Sequence, residues 1–143
     1  CPESKTSAVG STSPDDCHSI HNVNDMDDWR TLLFDTGLSR GDTVMMNDEG
    51  ERGAVYKCSD LTTTHEHMCT TEGKQMFATL DWGGLVSAVN YDVKFDGEGQ
   101  FGILQVENTG ATPAEIYSLW FDNGYRVDGG GALYLKVSTG SFF

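Results

Sequence analysis

The feature that most constrains the fold is an alternation of apolar and polar residues, which recurs through most of the chain after residue 30. A period of two places successive side chains on opposite faces of a strand, so each run predicts a β-strand with one buried face. The apolar members of these runs are Leu32 and Phe34; Val44 and Met46; Ala54, Tyr56 and Cys58; Met76, Ala78, Leu80 and Trp82; Leu85, Val89, Tyr91, Val93 and Phe95; several residues of 116–121; and Leu133, Leu135 and Val137.

Turn-forming residues separate the runs, at 96–99, 108–110, 123–124 and 129–131. Because Gly and Asn supply the backbone conformations that tight turns need, the pattern predicts about seven to nine short strands. We expect a single mainly β domain over 1–143, an antiparallel β-sandwich or barrel with one N-terminal α-helix. No internal repeat is evident in the sequence.

The helix is predicted from a start signal near the N-terminus. Ser13 suits the N-cap, Pro14 suits the first helical position, and two aspartates follow at the positive end of the helix dipole. We therefore expect an extended arm over 1–12, a helix over 13–24 and a β-rich region over 30–143.

The four cysteines, Cys1, Cys17, Cys58 and Cys69, have 15, 40 and 10 residues between them. This even number in a small chain predicts two disulfides and a secreted protein, whereas zinc knuckles would show closely spaced pairs. A removed signal peptide would explain the start at Cys1, as would a trimmed chain. Of three possible pairings we favour Cys1–Cys58 with Cys17–Cys69, which would fasten both ends of the first segment to one sheet.

The chain is strongly acidic, with 9 basic and 22 acidic residues and a formal charge of −13. Binding to nucleic acid or to an anionic membrane surface depends largely on Lys and Arg, so neither is expected as the main partner. No apolar run approaches the roughly 18 residues of a transmembrane helix. The charge favours a basic or neutral partner.

The histidines form two pairs that could bind a metal ion. His18 and His21 are three residues apart on the predicted helix, and His65 and His67 are two apart on a predicted strand, so each pair shares a face. A disulfide between the neighbouring cysteines would bring the pairs together, and neutral imidazoles could then hold zinc or copper. The interpretation we favour is four exposed histidines and no cofactor.

A predicted loop before the Val44 strand contains Arg40, Gly41 and Asp42, an RGD tripeptide. One interpretation is an adhesive loop that binds a receptor. The other is an ordinary turn, which we favour because a three-residue match arises easily by chance in a chain rich in Gly and Asp.

Most aromatic residues fall in the alternating runs and are expected in the core, with Trp29, Trp82 and Trp120 as anchors. Aromatic residues left on the surface would suit a sugar-binding platform. The terminal Phe142 and Phe143 are difficult to bury within one domain, so we expect edge pairing or a homodimer contact to cover them.

The segment Ser13-Pro14-Asp15-Asp16-Cys17-His18-Ser19-Ile20, followed by Trp29, is similar to a pattern in the necrosis-inducing-factor domain of secreted fungal effectors, which is related to killer toxins. Cys1, Cys17, Ile20, Trp29 and Cys58 match the positions of that pattern, and the resemblance covers about residues 1–69. It implies secretion by a fungus and action on a host, a competitor or a neighbouring cell. It supplies no catalytic residues.

The leading hypothesis is a small secreted, non-enzymatic effector, elicitor or toxin-like protein that binds a protein or cell-surface target through loops on a rigid scaffold. The alternative is a ligand-binding module, for a metal through the histidine pairs or for a carbohydrate. A secreted hydrolase comes third, because the sequence shows no recognisably positioned pair of nucleophile and base, and its 22 acidic residues make a close carboxylate pair uninformative.

Overall fold

A computed structural model describes residues 1, 3, 5–7, 10–14, 17–39, 41–47, 54–70, 79–80, 84–87, 93–108, 115–126 and 131–137. Within these residues the chain is mainly β, as expected. The strands are β1 (Lys5–Thr6), β2 (His18–Val23), β3 (Thr43–Met46), β4 (Val55–Lys57), β5 (Thr79–Leu80), β6 (Gly84–Ser87), β7 (Val93–Asp96), β8 (Leu104–Asn108), β9 (Glu115–Tyr117), β10 (Leu119–Asp122) and β11 (Leu133–Val137). One short α-helix, α1 (Met26–Thr31), continues as a π-helical turn (Leu32–Thr36), and a 3-10 turn (Cys58–Asp60) follows β4.

The described strands form three sheets. Sheet 1 has the order β1-β2-β3-β6-β9, sheet 2 the order β10-β7-β4, and sheet 3 the order β11-β8-β5. Every neighbouring pair is parallel except β1 with β2. From β3 onward the chain visits sheets 1, 2 and 3 in the same order three times. Each such coil adds one strand to every sheet, which is the arrangement of a parallel β-solenoid.

The mainly β class is thus confirmed, but the antiparallel sandwich or barrel is wrong. Alternation requires only that each strand has one buried and one wet face, and a coil gives parallel strands such faces as well. The structure also repeats although the sequence does not, because the three coils begin at the unevenly spaced Thr43, Gly84 and Glu115.

Glycine clusters that resemble hairpin turns are corners between sheets 2 and 3. The Gly97 N–H donates to the Asp122 carbonyl oxygen at 2.9 Å, so a corner of the second coil rests on the third. A Cβ built on Gly131 would lie 2.6 Å from the carbonyl oxygen of Gly124, and one on Gly124 would overlap Gly131. These positions require glycine because two backbone segments meet there.

The predicted helix over 13–24 is wrong, because residues 18–23 form β2 and pair with β3. Sheet pairing outweighs the local helix-start signal at this place. The helix begins instead after Asp25, whose side chain accepts a hydrogen bond from the Asp28 N–H at 2.8 Å and so caps α1. Leu32 and Phe34, which were expected in a strand, continue this helix as its π-helical turn.

Two disulfides form, as expected, but the favoured pairing is wrong. The bridges are Cys1–Cys17 and Cys58–Cys69, with Cα–Cα distances of 5.7 and 5.6 Å. Each closes a short local loop, and the predicted Cys17–Cys69 link is absent. With residues 18–23 paired to β3 rather than in a packed helix, Cys17 bonds to Cys1 and not to Cys69.

The core lies between α1 and the inner faces of the coils. Trp29 and Phe95 have no exposed surface, which confirms Trp29 as a core anchor. The other buried apolar residues of the described part are Val23, Met26, Leu32, Val44, Met46, Tyr56, Met68, Val93, Ile103, Leu104 and Val106. Trp82, Phe142 and Phe143 lie outside the described residues. In the described part of the chain no helix has the length and apolar character needed to cross a membrane.

Candidate functional site

Sheet 2 carries a buried row of aromatic side chains. Tyr56, Phe95 and Phe121 stand in register on its three strands. Ring centroids are 5.5 Å apart between Tyr56 and Phe95 and 5.8 Å apart between Phe95 and Phe121. Because strand residues alternate between faces, this inward row fixes the residues before and after it on the opposite, outer face.

The outer face consists of two rows of side chains in register. The first row is Val55, Lys94 and Trp120, and the second is Lys57, Asp96 and Asp122. Trp120 is 60% exposed and Val55 is 41% exposed, so the first row presents an aromatic ring and an aliphatic side chain to solvent. We call these six residues the outer face of sheet 2.

Trp120 was expected in the core, and this prediction is wrong. Phe121 is the residue of β10 that points toward the core, so its neighbour Trp120 points to solvent. Ser118, with φ of 53°, turns the chain between β9 and β10. Two further exposed aromatic residues, Tyr117 and Tyr125, also belong to the last coil. Tyr56 and Phe95 each belong to an alternating run in the sequence, but these runs do not reveal which strands are neighbours or which residue of β10 points inward.

The charges on the outer face balance one another. It carries two lysines and two aspartates, whereas the whole chain has a formal charge of −13. Lys94 Nζ lies 3.5 Å from Asp122 Oδ2 in a partly exposed ion pair. The six side chains of the outer face of sheet 2 therefore carry no net formal charge.

The second row is fixed by hydrogen bonds to its central residue, Asp96. Asp96 Oδ1 accepts from the Glu98 N–H at 2.8 Å and from the Asn123 side-chain amide at 3.1 Å. These bonds, aided by the positive charges of Lys94 and Lys57, hold the pKa of the Asp96 carboxyl below its usual range. The carboxylate thus stays ionised and oriented near neutral pH.

The carboxylate of the RGD tripeptide points into the protein. Asp42 is only 5% exposed and accepts hydrogen bonds from the Ser19 N–H at 3.0 Å, the Ser39 N–H at 3.1 Å and His21 Nε2 at 2.9 Å. Burial alone would raise the pKa of Asp42, but these hydrogen bonds outweigh it and lower the pKa. Arg40 lies outside the described residues, and an adhesive role for the tripeptide stays a prediction.

The first histidine pair lies on strand β2 rather than on a helix. His21 is bound to Asp42, while the His18 ring packs on Gly41, where an added Cβ would lie 2.7 Å from it. Gly41 has φ of 90°, so glycine suits this position both for its backbone and for the ring above it. Both histidines thus join β2 to Gly41 and Asp42.

The second pair lies on the segment closed by the Cys58–Cys69 bridge. The His65 ring stacks on Phe34 with centroids 3.7 Å apart, and its Nδ1 accepts from the His67 N–H at 3.2 Å. No three His, Cys, Asp or Glu side chains in the described ranges are grouped so that they could hold a metal ion. The disulfide that was to join the two pairs does not form.

A groove of about 290 Å³ borders the same disulfide. Its apolar wall includes Leu61, Met68 and Phe101, and its polar wall includes His65 and Glu98. Glu98 is held by a hydrogen bond from the Ser59 N–H to its Oε2 at 3.0 Å. No sequence motif indicates this groove, since it forms between the disulfide loop and the corner after β7.

Comparison with protein-family models, with curated proteins and with solved structures found no match to this chain. The similarity of its N-terminal half to the necrosis-inducing-factor domain therefore stays a prediction.

Proposed function

We propose that this protein is a secreted, non-enzymatic binding protein that recognises a cell-surface target through the outer face of sheet 2. The observation that carries the proposal is the 60% exposure of Trp120 on an otherwise regular strand. Trp is enriched among the residues that dominate binding energy, because it buries a large area and loses little side-chain entropy.

The scaffold beneath this face supports the proposal. The inner row lies directly below it, with Phe95 stacked on Phe121 and tilted against Tyr56. Tyr56 also donates its hydroxyl proton toward the carbonyl oxygens of Val23 and Asn47, at 3.0 and 2.5 Å. A regular strand fixes the backbone position of Trp120, so the backbone needs little ordering on binding.

The two disulfides support the proposed extracellular setting, because they fit a protein of an oxidising compartment. The resemblance of residues 13–20 to fungal effectors suggests that the target belongs to a host, competitor or neighbouring cell. An effector or toxin-like role would then begin with attachment to that cell surface.

The test compares Trp120→Ala with the wild-type chain for binding to intact plant, fungal and bacterial cells. Truncation of a dominant Trp costs about 2 kcal/mol or more, so we expect affinity to fall by about 30-fold or more on the cell type that binds. Tyr125→Ala, which removes an aromatic side chain that is 46% exposed but lies beyond β10, is the matched control and should bind normally. Equal binding by Trp120→Ala and wild type would contradict the proposal.

A further inference from the structure

The dimensions of the outer face of sheet 2 limit what can bind there. Neighbouring strands lie about 4.8 Å apart and residues rise about 3.3 Å along a strand, so the two rows span about 10 Å by 7 Å. A stable protein interface covers about 800 Å² on each partner, which is far more than this face. A slender ligand that lies across the three strands fits it better than a globular partner or a second copy of this chain.

The chemistry of the face suits a sugar. One side of a pyranose ring presents C–H groups, which pack on the flat face of an aromatic ring such as Trp120. Its hydroxyl groups both donate and accept hydrogen bonds. Asp122 is an acceptor with a half-exposed side chain, and Lys94 beside it is a donor with a third of its side chain exposed.

The charge of the face selects among sugars. Its two lysines and two aspartates cancel, so it offers no net attraction to a charged polymer. The formal charge of −13 on the whole chain repels polymers of uronic acids or phosphates. A neutral polymer meets no such repulsion and needs no counter-charge.

We propose that the outer face of sheet 2 binds a neutral polysaccharide, with Trp120 stacked on one sugar ring and with Lys94 and Asp122 bound to its hydroxyls. This inference rests on the proposed function, because it names the ligand of the same face. Val55 offers a second apolar contact at the other end of the row, on β4 beyond Lys94. The chain of sugars therefore runs across β10, β7 and β4.

The experiment is affinity electrophoresis of the folded protein in gels that contain laminarin, hydroxyethyl cellulose, galactomannan, glycol chitin or polygalacturonate. We expect at least one neutral polymer to retard wild type and Tyr125→Ala, and the anionic polygalacturonate to have no effect. Trp120→Ala should weaken the retardation constant by about 10-fold or more, and Trp120→Phe, which keeps an aromatic ring, should weaken it less. No retardation by any neutral polymer, or equal retardation of Trp120→Ala, would overturn the inference.

A second readout monitors the ring itself. Binding should shift the tryptophan emission of the wild type, and the shift should be smaller in Trp120→Phe because Trp120 is exposed whereas Trp29 is buried. Failure of the two proposals can be told apart with protease-treated cells. One outcome is that Trp120→Ala loses binding to cells, that protease treatment of the cells abolishes wild-type binding, and that no polymer retards the protein. In that case the outer face of sheet 2 binds a surface protein, and only the polysaccharide inference fails.

Discussion

Strand β2 and sheet 2 belong to one parallel architecture but are stabilised by different interactions. β2 is mostly half-buried and is held by polar and covalent links: the Cys1–Cys17 bridge before it, and Asp42, which binds Ser19 and His21. Sheet 2 is held by the apolar row of Tyr56, Phe95 and Phe121. Sheet 2 therefore relies mainly on the burial of aromatic side chains in register, whereas β2, at the beginning of the stack, relies on links made by individual polar side chains.

This difference also explains the position of the candidate site. The outer face of sheet 2 needs none of its own side chains for the core, because the inner row supplies the burial. An exposed Trp there is therefore free to bind a ligand without loss of stability. By contrast, the carboxylate of Asp42 is engaged in hydrogen bonds that hold β2.

The largest effect is expected from breaking the inner row. Phe95→Ala removes a side chain with no exposed surface between Tyr56 and Phe121, and should lower the free energy of unfolding by about 3–5 kcal/mol. Urea unfolding followed by far-UV circular dichroism measures it. Val55→Ala, on the exposed side of the same sheet, should cost less than about 1 kcal/mol. A similar small cost for both variants would show that sheet 2 does not depend on this row.

The two disulfides allow a further comparison. Their cysteines are 16 and 11 residues apart, so chain entropy alone predicts that each bridge contributes about 3 kcal/mol to the free energy of unfolding. We expect Cys58→Ala with Cys69→Ala to cost about 2–4 kcal/mol, since Met68 beside that bridge is buried in the core. Cys1→Ala with Cys17→Ala should cost about 1 kcal/mol or less, because the described residues of the arm are exposed and can open locally. Equal losses in urea unfolding would contradict this separation.

The third prediction concerns the buried carboxylate of Asp42. Asp42→Asn should cost about 1–2 kcal/mol near neutral pH, because it replaces a buried, charge-assisted acceptor of three hydrogen bonds. The pKa of Asp42 is lowered in the folded protein, so its stabilising contribution is full above the ordinary value of 3.8 and is lost as the pH falls through the folded value. The stability difference between wild type and Asp42→Asn should therefore shrink below pH 3.8.

Urea unfolding at a series of pH values measures this difference. Asp60→Asn, at an exposed position, is the control and should change stability little. A difference that grows as the pH falls would have the wrong sign for a carboxylate stabilised in its charged form.

Much of the secondary structure could be predicted from alternation. Val93 and Phe95 were placed on one face of a strand, and both are fully buried in β7. Whether the strands pair in parallel or antiparallel could not be predicted. Alternation shows only which face of a strand is exposed to solvent, and Gly-rich segments occur both in hairpins and at the corners of a coil. β2 was mistaken for a helix since its pairing with β3 depends on residues more than 20 positions away.

The candidate site was less predictable than the fold. Neither exposed aromatic residues nor their sheet neighbours can be identified before the strand order is known. Trp120 and Lys94 are 26 positions apart and meet only because β10 and β7 are parallel and in register. The role of Asp42 was hidden for a similar reason, because its partner His21 lies on a strand that was predicted as a helix.

The central claim is that the ring of Trp120 is the point of contact with the target, and oxidation by N-bromosuccinimide tests it most directly. Mass spectrometry of peptides would follow the oxidation of Trp120 and of the buried Trp29 in free protein and in protein bound to cell walls. Rapid oxidation of Trp120 in the free protein, with strong protection by the bound walls and little change at Trp29, is the predicted result. Oxidation of Trp120 at the same rate in both samples would contradict it.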